Sequence, residues 1–202
     1  YVEIDSLNYQ DRSVETFLLD EERLSEYSLV VSALGEPTLN LEINRILYMH
    51  KFDMPFVCCF NEPYGIGGHA IVVNINKDSC LQCLYTDVIS SDIVSFRGSL
   101  VAPNQKFKKN ISGCASAFVP YSCLDSQQTA ILTARMVLDI LNGKMKQNVI
   151  QSWIGSEKEL VTQGYITSEY YQLYKNMQHH SFTNFKNIHC RICGDLGKGI
   201  NL

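Results

Sequence analysis

The stretch Leu29-Val30-Val31-Ser32-Ala33-Leu34 is almost unbroken in apolar character, the pattern of a strand buried on both faces of a parallel sheet. Gly35-Glu36-Pro37-Thr38 interrupts it. Over 40–49 the apolar positions become Leu41, Ile43, Ile46 and Leu47, which is helical spacing. Residues 54–60 and 70–75 read as two more buried strands, the second entered through Gly65-Ile66-Gly67-Gly68. The clearest helix covers 126–142. Ala130, Ile131, Ala134, Leu138 and Leu141 share one face of it, and Gly143 stops it. Shorter elements are a strand at 2–4, a helix from the N-cap Ser13 to about residue 20, and an aromatic helix over 168–177 that follows a segment around Trp153.

Between 86 and 120 the periodicity lapses, and Ser, Gly, Asn and Lys dominate. A loop of that length inside a compact domain is usually functional. The order strand, helix, strand, strand predicts an α/β sheet with a mixed or antiparallel edge. There are no internal repeats or low-complexity segments, so 1–202 is read as a single domain, with 86–120 as a crossing loop and 144–202 as its tail.

The chain has 202 residues, 46% apolar and 19% charged, which is ordinary for a packed core. A net charge of -4 and a pI near 5.7 argue against nucleic acid as the main partner. Lys106, Lys108 and Lys109 form the densest basic run and read as a solvated loop. No stretch approaches the roughly 20 apolar residues of a membrane span, and no signal-peptide pattern is present. The chain opens on Tyr1, as a fragment or processed product would.

Eight cysteines raise a choice between disulfides and thiols. Cys58 and Cys59, adjacent in an apolar strand, and two Cys-x-x-Cys pairs fit the reducing cytosol. The pairs are Cys80 with Cys83 and Cys190 with Cys193. Four thiolates in two such hairpins are the usual ligands of a closed, structural zinc site. Gly194 follows the second pair, as tight knuckle turns prefer. An ion shared by pairs so far apart would fasten the tail to the middle of the chain.

Other residues carry plainer readings. Cys58 and Cys59 read as core thiols, and Cys123, just ahead of a helix, as a packing residue. His69 reads as a hydrogen-bonded structural histidine. His179, His180 and His189 read as exposed side chains, Glu62 as part of a turn before Pro63, and Asp139 as facing water. Glu36 is balanced between a magnesium ligand and the start of a turn before Pro37.

Read together, the motifs fall in a specific order. An apolar strand leads to Glu36-Pro37-Thr38, then come a helix containing Asn44, a strand, Gly67-Gly68-His69 and the first Cys-x-x-Cys. A loop with Gly113-Cys114, a helix with Gln127 and Gln128 near its start, and the second Cys-x-x-Cys follow. From about residue 29 to 193 this resembles the second half of the ThiF/MoeB-type adenylyltransferases of the ubiquitin-activating-enzyme superfamily, a Rossmann-like fold. The segments Glu62-Pro63-Tyr64-Gly65-Ile66-Gly67-Gly68-His69 and Phe118-Val119-Pro120-Tyr121 are most similar to the activating domain of bacterial ubiquitin-transferase-like proteins. That branch includes members in CBASS antiphage systems, where the domain is fused to a ubiquitin-conjugating-like domain.

The resemblance implies ATP-dependent adenylation of a protein C-terminal glycine, with magnesium as cofactor. It also implies transfer to a loop cysteine as a thioester, a ubiquitin-like or other target protein as partner, and a homodimer. It places Cys114 at the loop cysteine, Asn44 at a nucleotide-site asparagine, and Cys80, Cys83, Cys190 and Cys193 at the zinc ligands. Gly113 and the stretch 106–112 would give Cys114 mobility and positive surroundings; an inert thiol is the competing reading. The sequence departs from the family twice. Gly35 stands where a magnesium-binding Asp is usual, with Glu36 beside it, and the Gly-x-Gly-x-x-Gly loop is missing. ATP would then be held mostly by sequence outside this chain. Two alternatives follow, a non-catalytic scaffold half and an activator of a sulfur-carrier protein.

Overall fold

The computed structural model describes residues 24–75, 78–107, 109–110 and 117–194. The strand expected at 2–4 and the helix expected at 13–20 lie outside them.

The chain is α/β, built on a five-stranded mixed sheet. In chain order the strands are β1 (Val30–Ser32), β2 (Phe56–Asn61), β3 (Gly67–Val73), β6 (Val149–Ile154) and β7 (His179–Phe182), and they lie side by side in that order. Only β1 and β2 are parallel, with Val31 opposite Val57; every later pairing is antiparallel. A short antiparallel ribbon joins β4 (Lys109–Asn110) to β5 (Ala117–Phe118).

Alternation along β2 and β3 sorts side chains to two faces. Phe56, Cys58, Ile71 and Val73 face a core shared with Ile43, Ile46 and Leu47 of helix α1 (Pro37–Met49). Val57, Ala70 and Val72 face Met136 of helix α2 (Cys123–Leu141). A third cluster at one end joins Ile66, Leu100 and Val101 to Leu160 of α3 (Lys158–Thr162) and Tyr171 of α4 (Glu169–Tyr174). No helix among the described residues is long and apolar enough to cross a membrane.

The helices begin where local chemistry starts them. Glu36 caps α1 through the Thr38 amide, and Pro37 occupies the first turn, where its missing N–H costs nothing. Ser122 and Asp125 form a reciprocal capping box on α2, which therefore starts three residues before the expected 126.

Four expectations need correction. The run 29–34 is parallel as read but forms the sheet's edge rather than its centre, and Val31 is 47% exposed. The Trp153 segment is β6, a strand the sequence reading passed over. It inserts beside β3 and makes most of the sheet antiparallel. His180 belongs to β7 and its ring stacks on Tyr174 with centroids 3.7 Å apart rather than standing in water, while His179 on the same strand is exposed as expected. The fourth concerns α2. It meets the sheet through Thr129, Thr133 and Met136, with Leu132, Val137 and Ile140 packed beside them, and the stripe Ala130, Ile131, Ala134, Leu138 and Leu141 is exposed on the opposite side.

The reason for that last inversion is local. Strand β3 offers Gly68 to the helix, and a Cβ there would overlap Thr129 Oγ1 and Trp153 Nε1. In this narrow gap Trp153 Nε1 donates to Thr129 Oγ1 at 2.7 Å, and the Thr129 hydroxyl donates to Asn61 Oδ1. Small polar side chains fit a surface of glycine and hydrogen-bonding groups, where leucines would not.

Candidate metal centre and adjoining groove

The two Cys-x-x-Cys pairs converge. The sulfurs of Cys80, Cys83, Cys190 and Cys193 all lie within 4.8 Å of one another, and all four residues are buried. Cys80 Sγ is 3.6 Å from Cys190 Sγ, and Cys83 Sγ is 3.2 Å from Cys193 Sγ. Disulfides bring sulfurs to about 2.05 Å, and these cysteines are free thiols. A tetrahedral ion with metal–sulfur bonds of about 2.3 Å separates its sulfurs by about 3.8 Å. The cage therefore fits such an ion with small adjustment, and its donor set leaves no position for water. Among the described residues it is the one group of three or more His, Cys, Asp or Glu side chains that could hold a metal ion.

Each pair is shaped by its own chain. Cys80 precedes the 3₁₀ turn Leu81–Tyr85, in which the Cys83 amide donates to the Cys80 carbonyl at 3.0 Å. The Gly194 amide likewise donates to the Cys190 carbonyl at 2.9 Å. A Cβ on Gly194 would run into the backbone of Ile188 and Cys190, so close approach is what requires glycine there. Two buried asparagines brace the pairs. Asn44 on α1 accepts the Leu81 amide at 2.9 Å. Asn187 Nδ2 donates to the carbonyls of Thr86 and Asp87, and Asn187 Oδ1 accepts the His189 amide.

Four sulfurs so close cannot all carry full charge on their own. Hydrogen bonding to Cys193 pushes the Cys190 thiol far down, and the same contact pushes Cys193 far up. Burial, with the charge of Cys193 behind it, raises the phenol of Tyr48 on the adjoining helix. A divalent cation is the natural counter-charge for such a cluster.

Beside the centre lies an open groove of about 1500 Å³. Its walls come from the start of α1 (Pro37, Thr38), the end of β2 (Phe60 to Glu62), the crossing segment from Ile93 to Phe107, and Thr167 to Leu173 around α4. It thus sits beyond the carboxyl ends of the parallel strands β1 and β2, where open α/β sheets usually bind ligands. Arg97 is the one cation lining it among the described residues. One of its terminal nitrogens donates to the Cys83 carbonyl at 3.1 Å, and its buried Nε has no partner among the described residues. The arginine links metal centre and groove directly.

Glu62 forms part of the groove floor and is 6% exposed. Its Oε1 accepts the Leu100 amide at 3.1 Å and lies 3.2 Å from His69 Nε2, whose other nitrogen is 2.7 Å from Ser152 Oγ. Glu62 is more than a turn residue: it ties the crossing segment to the sheet. His69 is the structural histidine expected. His69 and Ser152 are buried, and this chain of polar groups reaches the groove only through Glu62.

The remaining candidates are placed as follows. Glu36 caps α1 at the groove mouth and is exposed. Asn44 does not line the groove; its side chain carbonyl serves the first knuckle. Cys114 lies outside the described residues. Cys123 is exposed, not packed, while Cys58 is a core thiol whose ionisation burial strongly opposes. Arg97 and Asn187 gave no sign in the sequence, and Glu62 showed only its turn, since single polar residues in irregular segments carry no periodic signal. No protein-family model matches the chain, and no curated protein is significantly similar to it.

Proposed function

We propose that this chain is the metal-clamped half of a ThiF-like adenylation domain, and that its groove receives the C-terminal tail of a protein substrate. The observation carrying this reading is the groove itself: open, largely apolar, placed at the ends of the parallel strands, and lined, among the described residues, by Arg97 as its one cation. An extended tail ending in a carboxylate has the complementary chemistry, with Arg97 attracting the carboxylate and the crossing segment covering the tail.

In this reading the ion is zinc, and it does no chemistry. It fixes the tail of the chain and, through Arg97 and the Cys83 carbonyl, the groove wall. ATP and magnesium would be held mainly by residues beyond this chain, with Glu36 at the start of α1 as the acidic candidate from within it. The carboxylate attacks the α-phosphate of ATP, giving an acyl-adenylate and pyrophosphate. The Cys114 thiolate then attacks the acyl carbon and AMP leaves, so a thioester replaces the mixed anhydride. A ubiquitin-conjugating-like domain would accept the acyl group. The same features also serve a scaffold that binds a tail without activating it.

The experiment uses the full-length protein with a ubiquitin-like partner ending in glycine. Pyrophosphate exchange dependent on that partner is expected, together with an adduct that thiol reductants cleave and that Cys114→Ala removes. Exchange that survives with no adduct would restrict the chain to adenylation. Absence of both would leave the scaffold reading standing. Metal analysis is expected to give one zinc per chain and a colourless protein; visible absorbance from iron would overturn the zinc assignment.

A further inference from the structure

Two charged groups with unused hydrogen-bonding capacity line the same groove. We infer that Glu62 sets its specificity, by accepting a main-chain N–H from a peptide whose terminal carboxylate lies on Arg97. The inference rests on the tail reading above and adds to it the group that selects the tail. Glu62 is 6% exposed and lines the groove. Both of its hydrogen bonds use Oε1, with the Leu100 amide at 3.1 Å and His69 Nε2 at 3.2 Å. Oε2 has no partner among the described residues, and it is the oxygen left to the groove. A carboxylate this buried is costly to keep with half of its acceptor capacity unused, unless an occupant supplies a donor. The fold also holds it still. Ser152 Oγ lies 2.7 Å from His69 Nδ1, so the hydroxyl donates to Nδ1 and the imidazole donates from Nε2 to Glu62. His69 is fully buried, with Phe60 and Phe96 of the groove wall each 5.1 Å from its ring. A carboxylate fixed by two donors has little rotamer freedom left to lose when a ligand binds.

Arg97 is the complementary half. Its Nε is buried and has no partner among the described residues, while a terminal nitrogen is tied to the Cys83 carbonyl. Arg97 sits in the turn closed by the Ser99 amide on the Phe96 carbonyl, at 3.1 Å, and Glu62 holds Leu100, the residue that follows this turn. One donor and one acceptor are thereby fixed to the same short stretch of wall, within reach of a single ligand. Charge selects the class of that ligand. Among the described residues the groove is lined by two carboxylates, Glu62 and Glu169, and by one guanidinium. A nucleotide polyphosphate would bring several negative charges to a site with one cation and two anions. A peptide terminus brings one carboxylate for Arg97 and an N–H for Glu62, and its apolar side chains meet Phe60, Phe96 and Tyr170.

Calorimetric titration of the full-length protein with synthetic peptides tests the inference. The parent peptide ends in glycine with a free carboxylate. Its relatives carry an N-methyl group on each of the last few amides in turn, or a C-terminal amide in place of the carboxylate. On the unaltered protein, one N-methyl position is expected to weaken binding by about 10-fold or more, the worth of a hydrogen bond to a charged group. The C-terminal amide is expected to weaken it by a similar factor. Glu62→Gln keeps Oε1 for Leu100 and His69 but turns the groove-facing acceptor into a donor. That variant should bind the parent peptide more weakly and lose its discrimination against the N-methyl peptide, while still preferring carboxylate to amide. Ser152→Ala is the second variant, since it frees the far side of His69 without touching the groove; the N-methyl discrimination should shrink there too. Parent binding that ignores every N-methyl position overturns the inference and leaves the tail reading intact. So does N-methyl discrimination that survives undiminished in Glu62→Gln. Failure of every peptide to bind removes the tail reading itself and the inference with it, as does a nucleotide bound in the peptide's place with an affinity that Glu62→Gln lowers.

Discussion

Single buried polar residues do much of the positioning in this protein. Glu62 serves both the Leu100 amide and His69 through one oxygen. Removing it leaves both groups buried and unpaired, at about 1–3 kcal/mol for each. Glu62→Ala should therefore lower unfolding stability by about 2 kcal/mol or more, while Glu62→Gln, which keeps an acceptor, should lose less. Urea unfolding midpoints measure the difference; equal losses in the two variants would mean that the oxygen is not the important feature. Asn44 and Asn187 act similarly on the two knuckles. Each supplies hydrogen bonds that a short irregular segment cannot make within itself. These residues were hard to read because a buried polar side chain is defined by partners that arrive from distant parts of the chain.

At the scale of elements, the two long helices were legible and their orientations were not. Capping chemistry is written in adjacent residues, so Ser122 with Asp125 fixes where α2 begins. Ser122→Ala should cost about 1 kcal/mol, read as a lower denaturation midpoint with an unchanged slope. Which face of α2 turns inward depends on what the sheet presents, and Gly68 with the Trp153 indole presents a shallow polar surface. The apolar periodicity was real, but it described a surface facing away from the domain. Strand β1 shows a related effect. Its apolar run matches a central strand, yet its place at the edge leaves Val31 exposed. Strand β6 carries little signal of its own because its significance comes from pairing with β3, 85 positions away in the register of Gly68 with Trp153, rather than from its own composition.

Across the whole molecule, the cysteine cluster joins segments that the sheet does not. It closes the segment from Phe185 to Cys193 over the core containing α1 and β2. Metal removal should therefore act unevenly. With a thiol-competitive chelator, amides of residues 80–84 and 187–194 should lose hydrogen-exchange protection before those of β2 and β3. Uniform loss across all of them would show that the cluster holds nothing in particular. Acid should mimic the chelator, because protons compete with the ion for thiolates. With an ion bound, the clamp should hold at neutral pH and be released as pH falls. Since Arg97 donates to the Cys83 carbonyl, the groove wall should loosen along with the centre.

Local sequence was enough for the elements of α/β character, the existence of both long helices, and the gathering of the four cysteines into one cluster. Those properties depend on neighbouring residues or on a spacing that only one chemistry uses well. Tertiary structure alone decided that the sheet is chiefly antiparallel, that α2 turns its leucines outward, and that Glu62 and Arg97 shape a groove beside the knuckles. Each of those outcomes depends on which distant surfaces meet, and on the requirement that every buried polar group find a partner and every small gap be filled by something small.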